Sequence, residues 1–440
     1  MHKTSLFSWL LASVLTLPVF AAPTTLRELQ PVPGFYFLEQ LSAKDRLADF
    51  ETAWKAIRDG FYDPAMNGVD WNDVHARYLP QIQAAKDDKE FYALLGRMAA
   101  ELHDAHTHVL SPEQAENFQN HRRVTPGFLF AVIDDKLAVT GVLPESEAAR
   151  AGVEPGMTVE SVDGVPLAER LKQTAVKVQE SSSDRATLRL RYFTALKNAP
   201  GASVKLEFER ADGSRFVAAL ANEPETLMPR LTARLLPSGN AYISFDAFFP
   251  PSAQEFKQAV QRLQAAPGMI VDVRNNPGGS SDELFAIAGN FFSSKTLMAT
   301  ARTRKKDAVA VYATLHKDKK ASAYAGPVVV LVSEQSGSSA ELFSAGLQAA
   351  GRARVVGTRT CGCVVGIHHT VRLRGGGLVL IGGVEWFAPP GRKLEGEGVI
   401  PDKLVVLTLS DLRQKRDAIL EEGERMLNEL ISAGTQKASK

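Results

Sequence analysis

Residues 328–341, VVVLVSEQSGSSAE, join an apolar run to a helix-like segment through a turn of serine and glycine. A short run of branched apolar residues is typical of a buried strand, and the Ser-Xaa-Xaa-Glu spacing after it is typical of a helix start. The same order occurs earlier, where residues 269–273 precede 274–279, RNNPGG, and another helix-like run. Strands that alternate with helices predict a largely parallel α/β core, whose active residues lie at the carboxyl ends of the strands.

The two turns carry the residue types that acyl transfer needs. A serine hydroxyl exposed at a strand-to-helix turn acts as a nucleophile once a base removes its proton. In the earlier turn, Gly278 and Gly279 free backbone N–H groups to face a developing oxyanion. The serine turn and the glycine amides therefore predict acyl-transfer chemistry. Taken alone, Ser338 and Glu341 also fit a capping box, in which the serine only caps the helix.

Length and the N-terminal residues predict a globular, exported protein. The chain has 440 residues, of which 45% are apolar, and this predicts two or three domains. Lys3, the apolar run 6–20 and the small residues Ala21 and Ala22 are typical of a signal peptide, residues 1–21, cleaved after Ala21. A membrane anchor is the alternative, but the run is shorter than the roughly 20 residues that a spanning helix needs. We expect a periplasmic or secreted protein, with no stable membrane insertion after signal removal.

Charge and cysteine content narrow the class of protein. The formal net charge is +1, and loss of Lys3 with the signal peptide leaves a mature chain with no net charge. This balance argues against nucleic acid and anionic membranes as partners. Cys361 and Cys363 are the only cysteines, so the protein is held by its core and not by a disulfide framework.

The spacing of apolar residues divides the mature chain into three parts. Residues 22–120 form a predicted helical region, because apolar positions recur three and four residues apart. Short alternating strands predict a β-rich domain at 121–228, and residues 229–440 form the predicted α/β core. Only the tail after Ile431 is expected to be disordered.

Residues 144–164, PESEAARAGVEPGMTVESVDG, place a small-residue helix before a Pro-Gly turn and a strand that ends in Asp-Gly. This segment resembles a PDZ domain of the bacterial, protease-associated type, with an insertion at 167–200. The resemblance implies that an extended peptide is added as a strand and that loop amides at Gly127 and Phe128 hold its terminal carboxylate. A β-rich spacer that binds no ligand is the alternative.

Several motifs then follow in a fixed order: the helices, the PDZ-like segment, 272–279 (DVRNNPGG), the serine turn and 394–402 (LEGEGVIPD). Together they resemble the C-terminal processing, or tail-specific, serine peptidases over most of the mature chain. The resemblance implies a crotonase-like spiral α/β peptidase core and hydrolysis of peptide bonds in protein or peptide substrates. Alignment of the family's Ser-Ala-Ser-Ala-Ser-Glu on Glu341 places the nucleophile at Ser338.

The base separates two branches of this family. In the larger branch a lysine downstream of the serine is the base, but the matching position here is Cys363, so the Ser-Lys dyad is absent. Residues 102–107, LHDAHT, resemble the Asp-Xaa-His-Thr motif of another branch, which is similar to the tricorn core protease and a chlamydial secreted protease. That resemblance implies His106 as the base and Glu395 as the carboxylate that orients it.

The physical chemistry agrees with such a triad. An imidazole titrates near neutral pH and can take and return the serine proton, while a carboxylate fixes its tautomer. An amide of Gly278 or Gly279, together with that of Ser339, would complete an oxyanion hole. Activity is expected to fall on acidification from about pH 8 to 5, as the histidine takes up a proton.

Neighbouring residues leave alternative roles open: Ser336, Ser339 or Cys363 as nucleophile, Glu397 as orienting carboxylate, and Lys393 as base. His103, His106 and His108 could also be read as a metal cluster. The chain has no H-E-x-x-H motif and no matching cysteine pair, so neither a metal nor another cofactor is expected.

Cys361 and Cys363 can form a strained disulfide or remain two thiols beside the cleft. Because Cys363 occupies the family's lysine position, we expect the redox state of the pair to shape the loop beside Ser338. The sequence as a whole predicts an exported serine endopeptidase that recognises extended or C-terminal substrate segments and works through an acyl-enzyme. The alternative is a non-catalytic member that serves as a hydrophobic-ligand or protein-binding scaffold.

Overall fold

The structure is a computed structural model, and it describes residues 40–175, 180–197, 202–221, 224–226, 229–305, 307–313 and 323–438. The predicted signal peptide at 1–21 lies outside the described residues. No described helix combines the length and the apolar character needed to cross a membrane.

The α-helices of the described residues follow in chain order: α1 (Ala43–Gly60), α2 (Trp71–Ala84), α3 (Asp88–Ala100), α4 (Pro112–Gln119), α5 (Glu147–Ala151), α6 (Leu167–Ala175), α7 (Asp184–Ala195), α8 (Ser252–Arg262), α9 (Ser281–Ala288), α10 (Ser339–Ala349), α11 (Leu409–Arg413) and α12 (Ala418–Ala438). Helix α12 continues past Ile431, so the expectation of disorder after that residue is wrong. Its apolar residues Leu427, Leu430 and Ile431 pack against the sheet, which holds the helix in place.

The strands of the described residues are β1 (His108–Leu110), β2 (Arg122–Val124), β3 (Phe128–Ile133), β4 (Lys136–Val142), β5 (Thr158–Val162), β6 (Val165–Pro166), β7 (Val204–Glu209), β8 (Arg215–Leu220), β9 (Pro224–Thr226), β10 (Leu231–Leu235), β11 (Ala241–Phe245), β12 (Met269–Asp272), β13 (Thr296–Thr303), β14 (Ala308–Ala313), β15 (Val328–Val332), β16 (Ala353–Gly357), β17 (Gly366–Arg372), β18 (Leu378–Ala388), β19 (Arg392–Lys393) and β20 (Lys403–Leu404). They build a mixed α/β fold with both parallel and antiparallel sheets.

The central sheet has the strand order β10–β11–β12–β15–β16–β20, and all its pairs except β10–β11 are parallel. The predicted parallel core is thus confirmed. Strand β15 is buried along its whole length because both of its faces are covered. Val330 lies in one apolar cluster with Phe343 of α10, while Leu331 lies in another with Leu427 of α12.

A second, antiparallel sheet has the order β1–β18–β13–β14, and β17 and β19 also pair with β18. The periodicity did not predict this sheet, because its pairs join distant parts of the chain, such as His108 with Leu380. Helices α1 and α3 bury Phe50 and Leu95 against Ile381 of β18. The predicted helices are therefore attached to the core through this sheet.

The described residues between 122 and 226 form what we call the middle module. Its antiparallel sheet has the order β3–β4–β5–β7–β8, with β6 paired to β5 and β3 at one edge. Helices α6 and α7 occupy the predicted insertion. The module contacts the rest of the protein where Ile133 and Ala138 pack on Leu412 of α11. Its identity as a PDZ-like domain stays a prediction.

Candidate active site

Ser338 lies at the turn between β15 and α10, at the carboxyl end of a central parallel strand. Its backbone has φ 50° and ψ −118°, a conformation that costs an L-residue about 1–3 kcal/mol and is typical of functional turns. The side chain is half-buried. Gly278 sits directly against it, since a Cβ at Gly278 would come within 2.6 Å of the Ser338 Cβ and 2.9 Å of the Ser339 amide nitrogen. The two turns found in the sequence therefore meet.

The neighbouring serines use their hydroxyls in structural hydrogen bonds. The Ser336 hydroxyl is buried and donates to the Val273 carbonyl oxygen at 2.8 Å. The Ser339 hydroxyl donates to the Gly279 carbonyl oxygen at 2.7 Å. These bonds join the serine turn to the glycine turn, and they favour Ser338 over both rivals as the nucleophile.

The glycine turn presents its two amides differently. The Gly278 N–H donates to the side-chain oxygen of Asn276 at 2.9 Å, so an intramolecular acceptor already satisfies it. On one side of the turn, the Phe248 N–H donates to the Gly278 carbonyl oxygen, and the Phe248 carbonyl oxygen accepts from the Ser280 N–H. Gly279 lies between them, and its carbonyl on the opposite side accepts from Ser339. In a trans peptide the C=O and the following N–H point in opposite directions. Because the Gly278 carbonyl oxygen faces Phe248, the Gly279 N–H points to the other side of the turn, towards α10.

His106 lies in the loop between α3 and β1. The Asp104 carboxylate shapes this loop by accepting a hydrogen bond from the Thr107 hydroxyl at 2.5 Å. The Thr107 hydroxyl in turn accepts from the Gly382 amide of β18 at 3.1 Å. Strand β18, which no pattern in the sequence predicts, thus positions the histidine.

Glu395 is buried, with 8% of its surface exposed. Its Oε2 atom accepts from the amides of Val364 at 2.6 Å and Val365 at 2.9 Å. The alternative carboxylate, Glu397, is exposed and pairs with Arg359. Burial and backbone hydrogen bonds therefore favour Glu395 as the functional carboxylate.

The backbone of residues 363–365 connects Ser338 with Glu395. The Ser338 amide donates to the carbonyl oxygen of Cys363 at 2.9 Å, and the next two amides along the chain bind Glu395. Glu395 also interacts electrostatically with His106. Within the described residues, the His106 ring makes no hydrogen bond to Ser338 or Glu395, and its covered Nδ1 atom has no partner. Catalytic hydrogen bonds are often long without substrate and shorten in the complex.

Burial dominates the protonation of this cluster. It lowers the pKa of His106 to about 4, although the Glu395 carboxylate opposes the shift. Burial, and then the Asp104 carboxylate, raise the pKa of Glu395, while Ser182 and His106 lower it. Burial also raises the pKa of Asp104 against the hydrogen bond from Thr107. A neutral imidazole suits a general base. With this lowered pKa, a His106 base would lose activity only below the range of pH 8 to 5 expected from an ordinary histidine.

Glu341 anchors the loop beside the serine. Its carboxylate accepts from the hydroxyl of Thr360 at 2.5 Å and from the amides of Gly362, Cys363 and Ser338 at 2.8, 2.9 and 3.1 Å. Burial raises the pKa of Glu341 to about 7 despite these donors. The glutamate predicted as a cap therefore also orders the loop that carries the cysteines.

Cys361 and Cys363 form a disulfide, with Cα atoms 5.3 Å apart. The pair is buried and lies beside the serine turn, since the Cys361 amide donates to the Ser336 carbonyl oxygen at 3.0 Å. A disulfide-bonded Cys363 has no thiolate, and this structure gives it no role as a nucleophile.

The other two histidines of the candidate metal cluster face different partners. His103 is exposed and its Nδ1 atom lies 3.8 Å from a Glu180 carboxylate oxygen. The Nε2 atom of His108 is 2.8 Å from the Ala105 carbonyl oxygen. Among the described residues, no group of three or more His, Cys, Asp and Glu side chains is arranged to hold a metal ion.

The predicted peptide-binding residues lie at the start of edge strand β3. Gly127 has φ +74°, and its carbonyl oxygen accepts from the Ser146 hydroxyl at 2.9 Å. Phe128 is buried in the core of the middle module. Two residues further on, the carbonyl oxygen of Phe130 accepts from the Gln335 side chain at 2.5 Å. This strand therefore contacts the serine turn directly.

Sequence reasoning missed Ser182 and gave Asp104 no role. Asp104 lies in the LHDAHT motif, so its spacing to Thr107 could have suggested a carboxylate that shapes the loop. Ser182 lies in a run of three serines in the insertion, and nothing in that run marks it. Its contact with the site depends on how the middle module docks.

Comparisons with known proteins agree with this architecture. Residues 239–405 match the family described as Peptidase family S41, and residues 42–100 match the Tricorn protease C1 domain. The putative tricorn protease homolog 2 of Streptomyces coelicolor is 27% identical over 406 residues, which cover 87% of this chain and 32% of that relative. The carboxyl-terminal-processing protease of Synechocystis sp. is 24% identical over 365 residues, covering 80% of this chain and 79% of that relative.

Among solved structures, the crystal structure of mature CPAF aligns with a TM-score of 0.65 at 15% identity, covering 89% of this chain and 98% of that chain. At this identity the likeness bears on the fold alone. The chain spans about a third of the length of the Streptomyces relative and most of the Synechocystis one.

Proposed function

The chain belongs to peptidase family S41, a family of serine-type peptidases, through residues 239–405, and from this membership we propose that it hydrolyses peptide bonds through an acyl-enzyme on Ser338. His106 is the general base and Glu395 its orienting carboxylate. The observation that carries the proposal is the meeting of the two turns, where Gly278 abuts a half-buried serine held at φ 50°.

The proposed reaction follows the usual order of acyl transfer. Ser338 Oγ attacks the peptide carbonyl carbon as His106 takes its proton, and the C–N bond then breaks as the amine leaves with that proton. Water next attacks the acyl-enzyme, His106 accepts and returns a proton, and the carboxylic acid product leaves the free serine. Burial supports this role of His106, because it keeps the imidazole neutral at working pH.

The amides of Gly279 and Ser339 are the proposed oxyanion donors. The Ser339 amide is the first of α10, so no carbonyl of its own helix accepts from it. The Gly279 amide lies on the same side of the glycine turn as this helix end. The hydrogen bond from the Gly278 amide to Asn276 leaves Gly279 as the better choice of the two glycines.

The proposal also covers where substrates bind and where the protein acts in the cell. We infer that protein or peptide segments bind along edge strand β3 of the PDZ-like middle module, which pairs with β4 alone among the described strands and contacts the serine turn through its Phe130 carbonyl oxygen. The match of residues 42–100 to a tricorn domain supports the Ser-His-Glu branch. The signal-like residues 1–21 support export to the periplasm or beyond.

Labelling with a fluorophosphonate probe tests the proposed function. We expect one probe per folded chain on the peptide that contains Ser338, together with hydrolysis of unfolded casein. Heat-unfolded protein is the matched control and should not react, because a serine hydroxyl is activated only by its folded surroundings. A folded protein that takes up no probe and cleaves no casein would be a scaffold and not a peptidase.

The disulfide gives a second prediction. Reduction by a dithiol, which becomes a cyclic disulfide as Cys361 and Cys363 become thiols, should lower specific activity by about threefold or more. The reason is that the freed loop also holds the Ser338 amide, and small displacements of reacting groups are costly. Mass spectrometry would confirm the change in thiol state. Equal activity of the reduced and oxidised forms contradicts this role, and a Cys361→Ser/Cys363→Ser double variant should not respond to the reductant.

A further inference from the structure

We propose that Ser182, which precedes α7 in the middle module, is a positioning residue of the active site, where its hydroxyl orients the Glu395 carboxylate and holds the backbone before His106. The inference rests on the proposed peptidase function. It adds a fourth side chain to the site, from a part of the chain outside the family match at 239–405.

The Ser182 hydroxyl lies between the loop that carries His106 and the Glu395 carboxylate. Its oxygen accepts from the Ala105 amide at 2.9 Å, one residue before His106. The Glu395 carboxylate lies near the same hydroxyl, which lowers the pKa of that carboxyl. A hydroxyl can accept one hydrogen bond and donate another, so Ser182 can satisfy both contacts at once. One small side chain thus fixes the separation between the loop of the base and its carboxylate.

The residues that follow Ser182 are hydrogen-bonded to two segments of the catalytic core, the loop that carries the cysteines and the segment that carries Glu395. The next residue, Ser183, caps α7 and donates from its hydroxyl to the Cys361 carbonyl oxygen at 2.5 Å. Arg185 donates to the Thr360 carbonyl oxygen at 2.8 Å and to that of Glu397 at 3.0 Å. These contacts hold the start of α7 against the catalytic core, so the position of Ser182 is set by a docked helix.

The charges around Glu395 explain why a neutral donor matters there. The titratable groups that face it are Tyr62, Asp104, His106 and Glu341, with His108 beyond His106. Asp104 raises the pKa of Glu395 by repulsion between like charges, and the Ser182 hydroxyl lowers it. Ser182 therefore helps Glu395 to stay ionised in a buried site that already holds another carboxylate.

The active form of the pair has an ionised Glu395 and a neutral His106. Loss of the Ser182 hydroxyl raises the pKa of Glu395, so the first proton binds to the pair at a higher pH. The acidic limb of kcat/KM must then move to higher pH. A purely structural role for Ser182 would lower activity without moving this limb.

The test compares Ser182→Ala with Ser182→Thr, which keeps a hydroxyl, and with Ser181→Ala as the matched control. Ser181 is the adjacent serine, and its described contact is made by its backbone amide to Thr187 Oγ1 at 2.8 Å. For Ser182→Ala we expect kcat on casein-derived peptides to fall by about tenfold or more, KM to change by less than about twofold, and the acidic limb to rise by about half a pH unit or more. Ser182→Thr should restore most of kcat and the wild-type limb, and Ser181→Ala should match wild type.

The outcomes separate this inference from the proposed function. An inactive, unlabelled wild-type protein overturns both. An active wild type with a Ser182→Ala variant that keeps its kcat and its acidic limb overturns the role of Ser182 alone. The same holds if Ser182→Ala and Ser181→Ala lose activity equally with unshifted limbs, because the loss is then one of local packing. Thermal unfolding of each variant shows that the comparison is made between folded proteins.

Discussion

Ser338→Ala should lower kcat for peptide hydrolysis by about 10,000-fold or more while the protein stays folded. The alanine keeps the Cβ and the backbone at φ 50°, so the strain of the turn and the contact with Gly278 are unchanged. The Ser338 amide also keeps its hydrogen bonds to Cys363 and Glu341. Only the nucleophilic oxygen is lost. Steady-state kinetics on a fluorogenic peptide and the thermal unfolding midpoint measure the two halves of this prediction.

Ser339→Ala is the matched control for this variant. It removes a hydroxyl that bonds to the Gly279 carbonyl oxygen, but it leaves the Ser339 amide in place as an oxyanion donor. We expect it to lose about tenfold at most. If Ser339→Ala abolishes activity while Ser338→Ala retains it, the nucleophile has been assigned to the wrong serine.

His106→Ala should lower kcat by about 1,000-fold or more, because it removes the proposed base that takes the proton of the Ser338 hydroxyl. The variant should fold, since the covered Nδ1 atom of His106 has no partner among the described residues that would be left unsatisfied. Fluorophosphonate labelling of Ser338 should slow by a similar factor. Both rates are measured at one pH against wild type.

His103→Asn is the control for the histidine. His103 is exposed and has φ 50°, a backbone conformation that asparagine tolerates. Wild-type activity is expected. Retention of full activity in His106→Ala would refute the triad, and Lys393, which lies two residues before Glu395, would be the next base to examine.

The pH dependence of kcat/KM tests the protonation of His106, which the His106→Ala variant does not report. Because burial lowers the pKa of His106 to about 4, the acidic limb of kcat/KM should lie below the ordinary histidine value of about 6.5. The same shift means that the unfolded chain binds a proton here before the folded one does. Stability from this group is therefore present above about pH 6.5 and is lost as the pH falls towards 4. A limb centred at or above 6.5 would contradict a buried base.

The elements of the central sheet could be predicted because each is encoded locally. The apolar run of β15, the turn after it and the start of α10 follow one another within residues 328–341, as do β12 and its glycine turn. The second sheet could not be predicted in this way. Its β18 contains Gly382 and Gly383, which interrupt the strand pattern, and it pairs with β1 from the far end of the chain.

The features of the candidate site also divide into those that short motifs encode and those that depend on contacts between distant segments. Ser338, His106 and Glu395 were predicted because they lie in short motifs that resemble those of the tail-specific peptidases and because their residue types suit the proposed chemistry. The engagement of the Gly278 amide by Asn276 was not visible, because it depends on how the turn folds back on itself. Nor was the lowered pKa of His106, which arises from burial by segments distant in sequence.

Residue types and short spacings were enough to predict the parallel core and the serine and glycine turns, and to predict that the base is not the family's downstream lysine, because Cys363 stands at that position. These features depend on residue type and short spacing, which a linear chain displays directly. Tertiary packing brings together His106 and Glu395, the proposed base and carboxylate, and places Ser182 of the middle module beside them. Desolvation and contacts across 77 residues arise only when distant segments pack together, and local patterns do not contain them.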